Sequence, residues 1–277
     1  MLVCFNGTFL PHDEAVIHPD DGALLFGDTL FETLKACRER ILLVSEHLDR
    51  LEKSARLLEL PVDRPHIERC LNQLAAALDA PCSRVRLTVG RGICDGFSWP
   101  EAAAGWFLLT ASSYPALGAD ERLAGVSCVS APNRRVNPLS HLPQMKRGNY
   151  ADCLYAANHA RRSGAREALF VDPSGQVLEG ATSNIFALID DRLVTPAAGP
   201  LILDGIMRRQ VMAAAAELGI LVVERALLLD ELLQADEAFL TNSLIEILPV
   251  AQFDNRPLQR GELWASLLET LRIRTGQ

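Results

Sequence analysis

The chain has 277 residues and a formal net charge of −8, with 49% hydrophobic and 22% charged residues. That length can bury a full core in one or two domains without disulfide or metal staples, and the ordinary composition excludes a disordered or fibrous chain. The acidic balance and the dispersal of the basic residues exclude the electrostatic footprint of a nucleic-acid binder and point to a small-molecule partner.

The opening residues read strand, turn, strand: Leu2 to Phe5, an Asn6-Gly7 hairpin signal, then Thr8 to Leu10. After a polar stretch, the alternation through Phe31, Thr33 and Lys35 predicts a strand with two unlike faces, and a second hairpin is expected around Arg38 to Arg40, before Ile41 to Val44. From Ser45, available as an amino-terminal cap, Leu48, Leu51, Ala55 and Leu58 recur at helical spacing. Asp63 and Pro65 then stand as cap and first-turn proline before the apolar stripe Ile67, Cys70, Leu71, Leu74, Ala75 and Leu78. Val85 to Val89 and Trp106 to Ala111 read as buried strands and close an α/β unit at residue 113.

Residues 114–122 hold Pro115, Gly118 and several charges without apolar periodicity, and are expected to link the first domain to a second over 123–277. There the expected elements are strands at Val126 to Val129, Ala168 to Val171, Asn184 to Ile189, Leu193 to Thr195 and Leu221 to Glu224. Helices are expected from Tyr150 to Arg162 and from Ile206 to Leu218. Short strands with irregularly interspersed helices suit an α+β or barrel-like second domain better than a doubly wound sheet.

Seven scattered cysteines without a C-x-x-C spacing argue against a disulfide framework and against a zinc site, and no metal is expected. The amino terminus lacks signal-peptide character and no apolar run approaches the ~20 residues of a membrane span, so a cytoplasmic location is expected. The adjacent pairs Arg134-Arg135, Arg161-Arg162 and Arg208-Arg209 are short and separate, as on a solvated surface. P-loop, nucleophile-elbow, H-E-x-x-H and strand-to-helix G-x-G-x-x-G patterns are absent.

Five segments stand out together: Glu46-His47-Leu48-Asp49-Arg50-Leu51; Pro143-Gln144-Met145-Lys146-Arg147-Gly148-Asn149-Tyr150; Leu178-Glu179-Gly180-Ala181-Thr182-Ser183-Asn184-Ile185-Phe186; Leu203-Asp204-Gly205-Ile206-Met207-Arg208; and Ala235 to Ser243, followed by Glu246 and Pro249. In this order and at these separations they resemble the fold-type-IV pyridoxal-phosphate enzymes: branched-chain aminotransferases, D-amino-acid aminotransferases and aminodeoxychorismate lyases. The resemblance spans nearly the whole chain. It implies a smaller N-terminal α/β domain, a larger C-terminal pseudo-barrel domain, pyridoxal 5'-phosphate as cofactor and a homodimer.

By the same resemblance, Lys146 carries the cofactor, a task that needs an amine able to lose its proton. Taken alone, it would read as an exposed lysine at a helix entry. Glu179 partners the pyridine nitrogen, where a carboxylate favours the protonated ring. Gly205, Ile206 and Met207 open a helix whose amino terminus can receive the phosphate, although many relatives carry threonine where Met207 stands. Arg50 clamps the phosphate, and Asn184, Thr241, Asn242 and Ser243 complete the cup. Phe31-Glu32-Thr33 looks like the lyases, since branched-chain aminotransferases show Phe-Glu-Gly and D-amino-acid aminotransferases place tyrosine at Phe31. The implied reaction is release of pyruvate from 4-amino-4-deoxychorismate to give 4-aminobenzoate, with Thr33 assisting the leaving group. Phe31, Arg91, Arg134, Arg135 and Tyr150 are the substrate-side candidates. Transamination of branched-chain or D-amino acids is the alternative, and a non-catalytic binding protein on the same fold a remote one.

Overall fold

A computed structural model describes residues 2–99 and 105–277. Its contacts divide the chain into two units, the first comprising residues 1–116 with 145–149 and the second residues 117–144 with 150–277.

The first unit is built on a six-stranded sheet. β1 (Leu2–Phe5) and β2 (Thr8–Pro11) form the expected hairpin, in which Asn6 and Gly7 both have positive φ (47° and 87°) as a two-residue turn between twisted strands requires. α1 (Gly22–Phe26) precedes β3 (Thr29–Cys37), and a two-residue turn leads to β4 (Arg40–Ile41). α2 (Val44–Leu57), α3 (Arg64–Ala76), β5 (Cys82–Gly90) and β6 (Trp106–Ser113) complete the unit, and the sheet runs β2-β1-β6-β5-β3-β4. β3 and β5 pair along nine rungs, from Thr29 opposite Gly90 to Cys37 opposite Cys82. One face of this ladder is core: Leu30, Leu34, Ala36, Val85, Leu87 and Val89 are buried, and α2 packs on β3 with Leu48, Leu51 and Ala55 inward. Asp63 caps α3 as expected, its carboxylate accepting from His66 N at 3.1 Å.

Two expectations here need correction. Ser45 is not the cap of α2: Leu43, left-handed at φ 55°, sits at that position without a side-chain cap, and Ser45 Oγ instead accepts from Arg64 Nη2 at 3.2 Å. The strand expected over Ile41 to Val44 stops at Ile41, because Leu42 adds one last rung (its N–H donates to Lys35 O, 2.9 Å) before Leu43 turns the chain into the helix.

The second unit carries α4 (Ala119–Ala124), which begins inside the segment expected as a linker and runs two residues past it, then β7 (Val126–Ser130), α5 (Ala151–Arg162), β8 (Glu167–Val171), β9 (Gln176–Gly180), β10 (Asn184–Ile189) and β11 (Arg192–Thr195). α6 (Ile206–Glu217), β12 (Val222–Glu224), β13 (Leu227–Leu228), α7 (Leu229–Gln234), β14 (Glu237–Asn242), β15 (Glu246–Phe253), β16 (Arg256–Pro257) and α8 (Leu263–Thr275) follow. The sheet runs β12-β11-β10-β14-β15-β7-β8-β9-β13 with mixed directions, and β16 adds to β15. Its core includes Ile185, Ala187, Leu240, Leu248 and Phe253, and Phe186 stacks on its rung partner Phe239 with centroids 5.3 Å apart. α5 buries Cys153, Ala156 and Ala160 against Ala168 and Phe170.

Candidate active site

In the first unit, the segment 145–149 is laid along the outer side of β3. Phe31 N donates to Lys146 O and Gly148 N to Thr29 O, both at 2.9 Å, and Arg147 bridges to Leu30. Gly148 is required here, since a Cβ would run into Thr29 Oγ1. This anchoring puts Lys146 Nζ 4.4 Å from the centre of the Phe31 ring.

Strand alternation then decides what else faces that ring. Phe31, Thr33, Lys35 and Cys37 share one face of β3, and their rung partners Thr88, Arg86, Arg84 and Cys82 share it on β5. Thr33 is half-buried, and Arg86 Cζ lies 3.9 Å from the Phe31 ring centre while its Nε donates to Thr88 Oγ1 at 3.2 Å. Arg86 is the functional candidate that the sequence reading missed. Its only signal was a cation within a run otherwise taken as a buried strand.

Glu32 points to the opposite face, where α2 presents His47 and Arg50 one helical turn apart. Arg50 grips it with both edges, Nε to Oε1 at 2.8 Å and Nη2 to Oε2 at 2.5 Å, and His47 Nδ1 lies 2.7 Å from Oε2. Burial works to raise the Glu32 carboxyl, but Arg50 and His47 outweigh it and hold it at about 2. Burial also lowers the His47 pKa in spite of the opposing pull of Glu32.

In the second unit, Glu179 stands one residue before the end of β9 with its carboxylate buried. Oε1 accepts from Arg135 Nε at 2.8 Å and Oε2 from Leu203 N at 2.9 Å. Arg135, expected on a solvated surface or against substrate, is buried: Nη1 donates to Asp152 Oδ2 at 2.6 Å and Cζ lies 5.1 Å from the Tyr150 ring centre. Burial opposes its charge, yet Glu179 first among its neighbours pushes the guanidinium pKa up. Its contacts make it the residue that fixes Glu179. Arg208 is likewise buried, donating to Pro196 O at 2.9 Å and to Glu224 at 2.6 Å, so it does not belong to the solvated pairs either.

Asn184 joins two of the other expected residues, Gly205 and Thr241, within this unit. Its Nδ2 donates to Leu203 O at 3.0 Å, its Oδ1 occupies the place a Cβ on Gly205 would take, and its rung partner across β10 and β14 is Thr241. Gly205 precedes the 12-residue helix α6 without any side-chain cap, and the Thr241 hydroxyl is buried without a hydrogen-bond partner. Uncapped helix donors and an orphaned buried hydroxyl are the features a phosphate would satisfy. Ile206 and Met207 are buried in the first turn of α6.

Asn242 shapes the turn after β14, accepting from Leu244 N and Ile245 N at 2.9 Å and donating to Thr182 O at 3.1 Å; Ser243 sits in that turn. Buried Glu167 accepts from Thr182 N, Thr182 Oγ1 and Ser183 Oγ, which pins the loop between Glu179 and Asn184. Arg134 is exposed. Arg91 is engaged by Asp28 (2.6 Å) and by the Leu58 and Glu59 carbonyls, which gives it an anchoring job inside the first unit. Among the described residues no helix is long and apolar enough to cross a membrane, and no His, Cys, Asp or Glu group is placed to hold a metal ion.

Residues 29–253 match the amino-transferase class IV family. The chain is 30% identical to the branched-chain-amino-acid aminotransferase of Escherichia coli K12, over 94% of this chain and 86% of that protein. It is 29% identical to the aminodeoxychorismate lyase of Bacillus subtilis, over 96% and 92% respectively. Its structure is similar to that of the branched-chain aminotransferase from Thermoproteus uzoniensis, with a TM-score of 0.89 at 28% identity, covering 100% of this chain and 95% of that one.

Proposed function

Since the chain belongs to the amino-transferase class IV family and its cofactor is therefore pyridoxal phosphate, we propose that it is an aminodeoxychorismate lyase, releasing pyruvate from 4-amino-4-deoxychorismate to give 4-aminobenzoate. The observation that carries this reading is Thr33, a hydroxyl on the sheet face of Phe31 and Lys146, at a position where branched-chain aminotransferases have glycine. A proton donor there serves a reaction with an oxygen leaving group and has no task in amino-group exchange.

The bound cofactor supplies a carbonyl that captures the substrate amine and a ring that accepts the electron pair left when a proton departs. In the first unit, the Lys146 amine holds the cofactor between turnovers and takes the proton from the amine-bearing ring carbon. The Thr33 hydroxyl donates its proton to the departing enolpyruvyl oxygen. Arg86 binds a substrate carboxylate through paired N–H donors, and Arg50, oriented by Glu32, is set for the phosphate. In the second unit, Glu179 partners the pyridine nitrogen, held in one rotamer by Arg135 and Leu203 N. The α6 amino terminus and the Thr241 hydroxyl supply phosphate donors.

A second reading, amino-acid aminotransferase, is favoured by the likeness to the Escherichia coli and Thermoproteus uzoniensis enzymes. One experiment separates the two. The holoenzyme is incubated with aminodeoxychorismate and, separately, with leucine or D-alanine plus 2-oxoglutarate. The lyase reading expects 4-aminobenzoate and pyruvate in equal amounts, with Thr33→Val lowering kcat at least ~10-fold, as loss of a general acid does, at unchanged cofactor content. Brisk transamination without aminobenzoate would overturn it in favour of the second reading.

A further inference from the structure

The face of the β3–β5 ladder that carries Phe31 ends on two cysteines. Cys37 and Cys82 are rung partners at its last position, so their side chains leave the sheet on the same side. Two hydrogen bonds identify the kind of rung. Arg38 N donates to Pro81 O (3.1 Å) one position further on, and on the β4 side Leu42 N donates to Lys35 O (2.9 Å), two positions before Cys37. Cys37 therefore directs its backbone groups to β4, and its rung with Cys82 is the non-hydrogen-bonded kind, in which Cα atoms approach to about 4.5 Å. That separation lies at the lower end of the ~4.4–6.8 Å window that a disulfide spans.

Accessibility singles out the same two residues. All seven cysteines are thiols; Cys4, Cys70, Cys94, Cys128 and Cys153 are buried, whereas Cys37 and Cys82 are half-buried. Burial, then Cys70, pushes the Cys4 thiol up to about 11, and burial pushes Cys128 above the ordinary thiol range. These buried thiols are poor nucleophiles for exchange.

We propose that Cys37 and Cys82 form a redox-active dithiol, which a low-molecular-weight disulfide converts into an intramolecular cross-strand disulfide. One cysteine, as thiolate, attacks a sulfur of the small disulfide, forming a protein–small-molecule mixed disulfide and expelling one small thiolate. The second cysteine then attacks the protein sulfur of that bond, forming the Cys37–Cys82 bond and expelling the second thiolate. Two protein thiols lose two electrons and two protons, and one small disulfide becomes two thiols. The bond closes a loop containing α2 and α3, so the oxidised protein unfolds at a higher temperature.

The test equilibrates the folded holoenzyme with mixtures of oxidised and reduced glutathione, quenches with acid, then unfolds and alkylates. The oxidised protein is expected to lose two hydrogens in mass and to retain five alkylatable thiols. Trypsin should release the peptide Ala36–Arg38 linked to the peptide Cys70–Arg84. Because Cys70 lies on that second peptide, the digestion is run on Cys70→Ser, where the link must persist. Cys37→Ser and Cys82→Ser should each abolish it and stop at a single glutathione adduct or none. Seven alkylatable thiols in excess oxidised glutathione, or an internal bond that survives Cys37→Ser, would overturn the proposal.

Discussion

Replacing Glu32 with glutamine tests the idea that this carboxylate organises α2 against β3. The substitution keeps the shape and removes the charge that faces Arg50 and His47 inside the first unit, where the Glu32 side chain is 1% exposed. Folding takes the carboxyl from an ordinary 4.5 to about 2. At about 1.4 kcal/mol per pH unit this linkage is worth about 3 kcal/mol, in line with the ~3–5 kcal/mol lost when a buried ion pair is broken. A carboxylate whose pKa is depressed by folding stabilises the fold above its unfolded value and loses that contribution as pH falls through the folded value. The wild-type advantage over Glu32→Gln should therefore be about 3 kcal/mol at pH 7 and shrink between about pH 4.5 and pH 2. Urea denaturation at a series of pH values measures it. A difference under about 1 kcal/mol at pH 7, the size of an exposed pair, or one that does not change on acidification, would refute the reasoning.

Lys146→Ala should abolish turnover together with the borohydride-fixed cofactor mass on the protein; a fixed adduct on another lysine would remove Lys146 from its role. Arg135→Met leaves Glu179 and Asp152 without their guanidinium and should lower stability by about 3–5 kcal/mol, seen as an earlier denaturation midpoint; a midpoint within error of wild type would contradict the buried pairing. Thr241→Val removes a hydroxyl with no partner, so the cofactor-free protein should be as stable as wild type or slightly more so. Its dissociation constant for pyridoxal phosphate should rise ~2–10-fold, the worth of one net hydrogen bond. Destabilisation of the cofactor-free protein with unchanged cofactor affinity would show that the hydroxyl serves the fold alone.

Local signals were legible where a single short stretch determines the outcome. Asn6-Gly7 marks a hairpin because both residues tolerate positive φ, and Asp63 with Pro65 marks a helix start because one accepts the orphan N–H and the other lacks one. The family was legible because the ordered segments around Arg50, Lys146, Glu179, Gly205 and Thr241 resemble its pattern, and residues 29–253 match that family. Ser45 misled because the cap position fell to Leu43, which takes left-handed backbone directly after the last rung of Leu42 with Lys35.

What the sequence by itself determined is the class of chemistry, the alternation of β3, and the helices whose apolar stripes must be buried. What only the tertiary structure decided is pairing. The register of β3 on β5 sets Arg86 beside Phe31 and Cys37 opposite Cys82, and the folding of the second unit takes Arg135 from an apparent surface pair and closes it on Glu179. Periodicity states which face a side chain takes. Partners that lie 44 to 55 residues apart in the chain meet only when register and burial are fixed together.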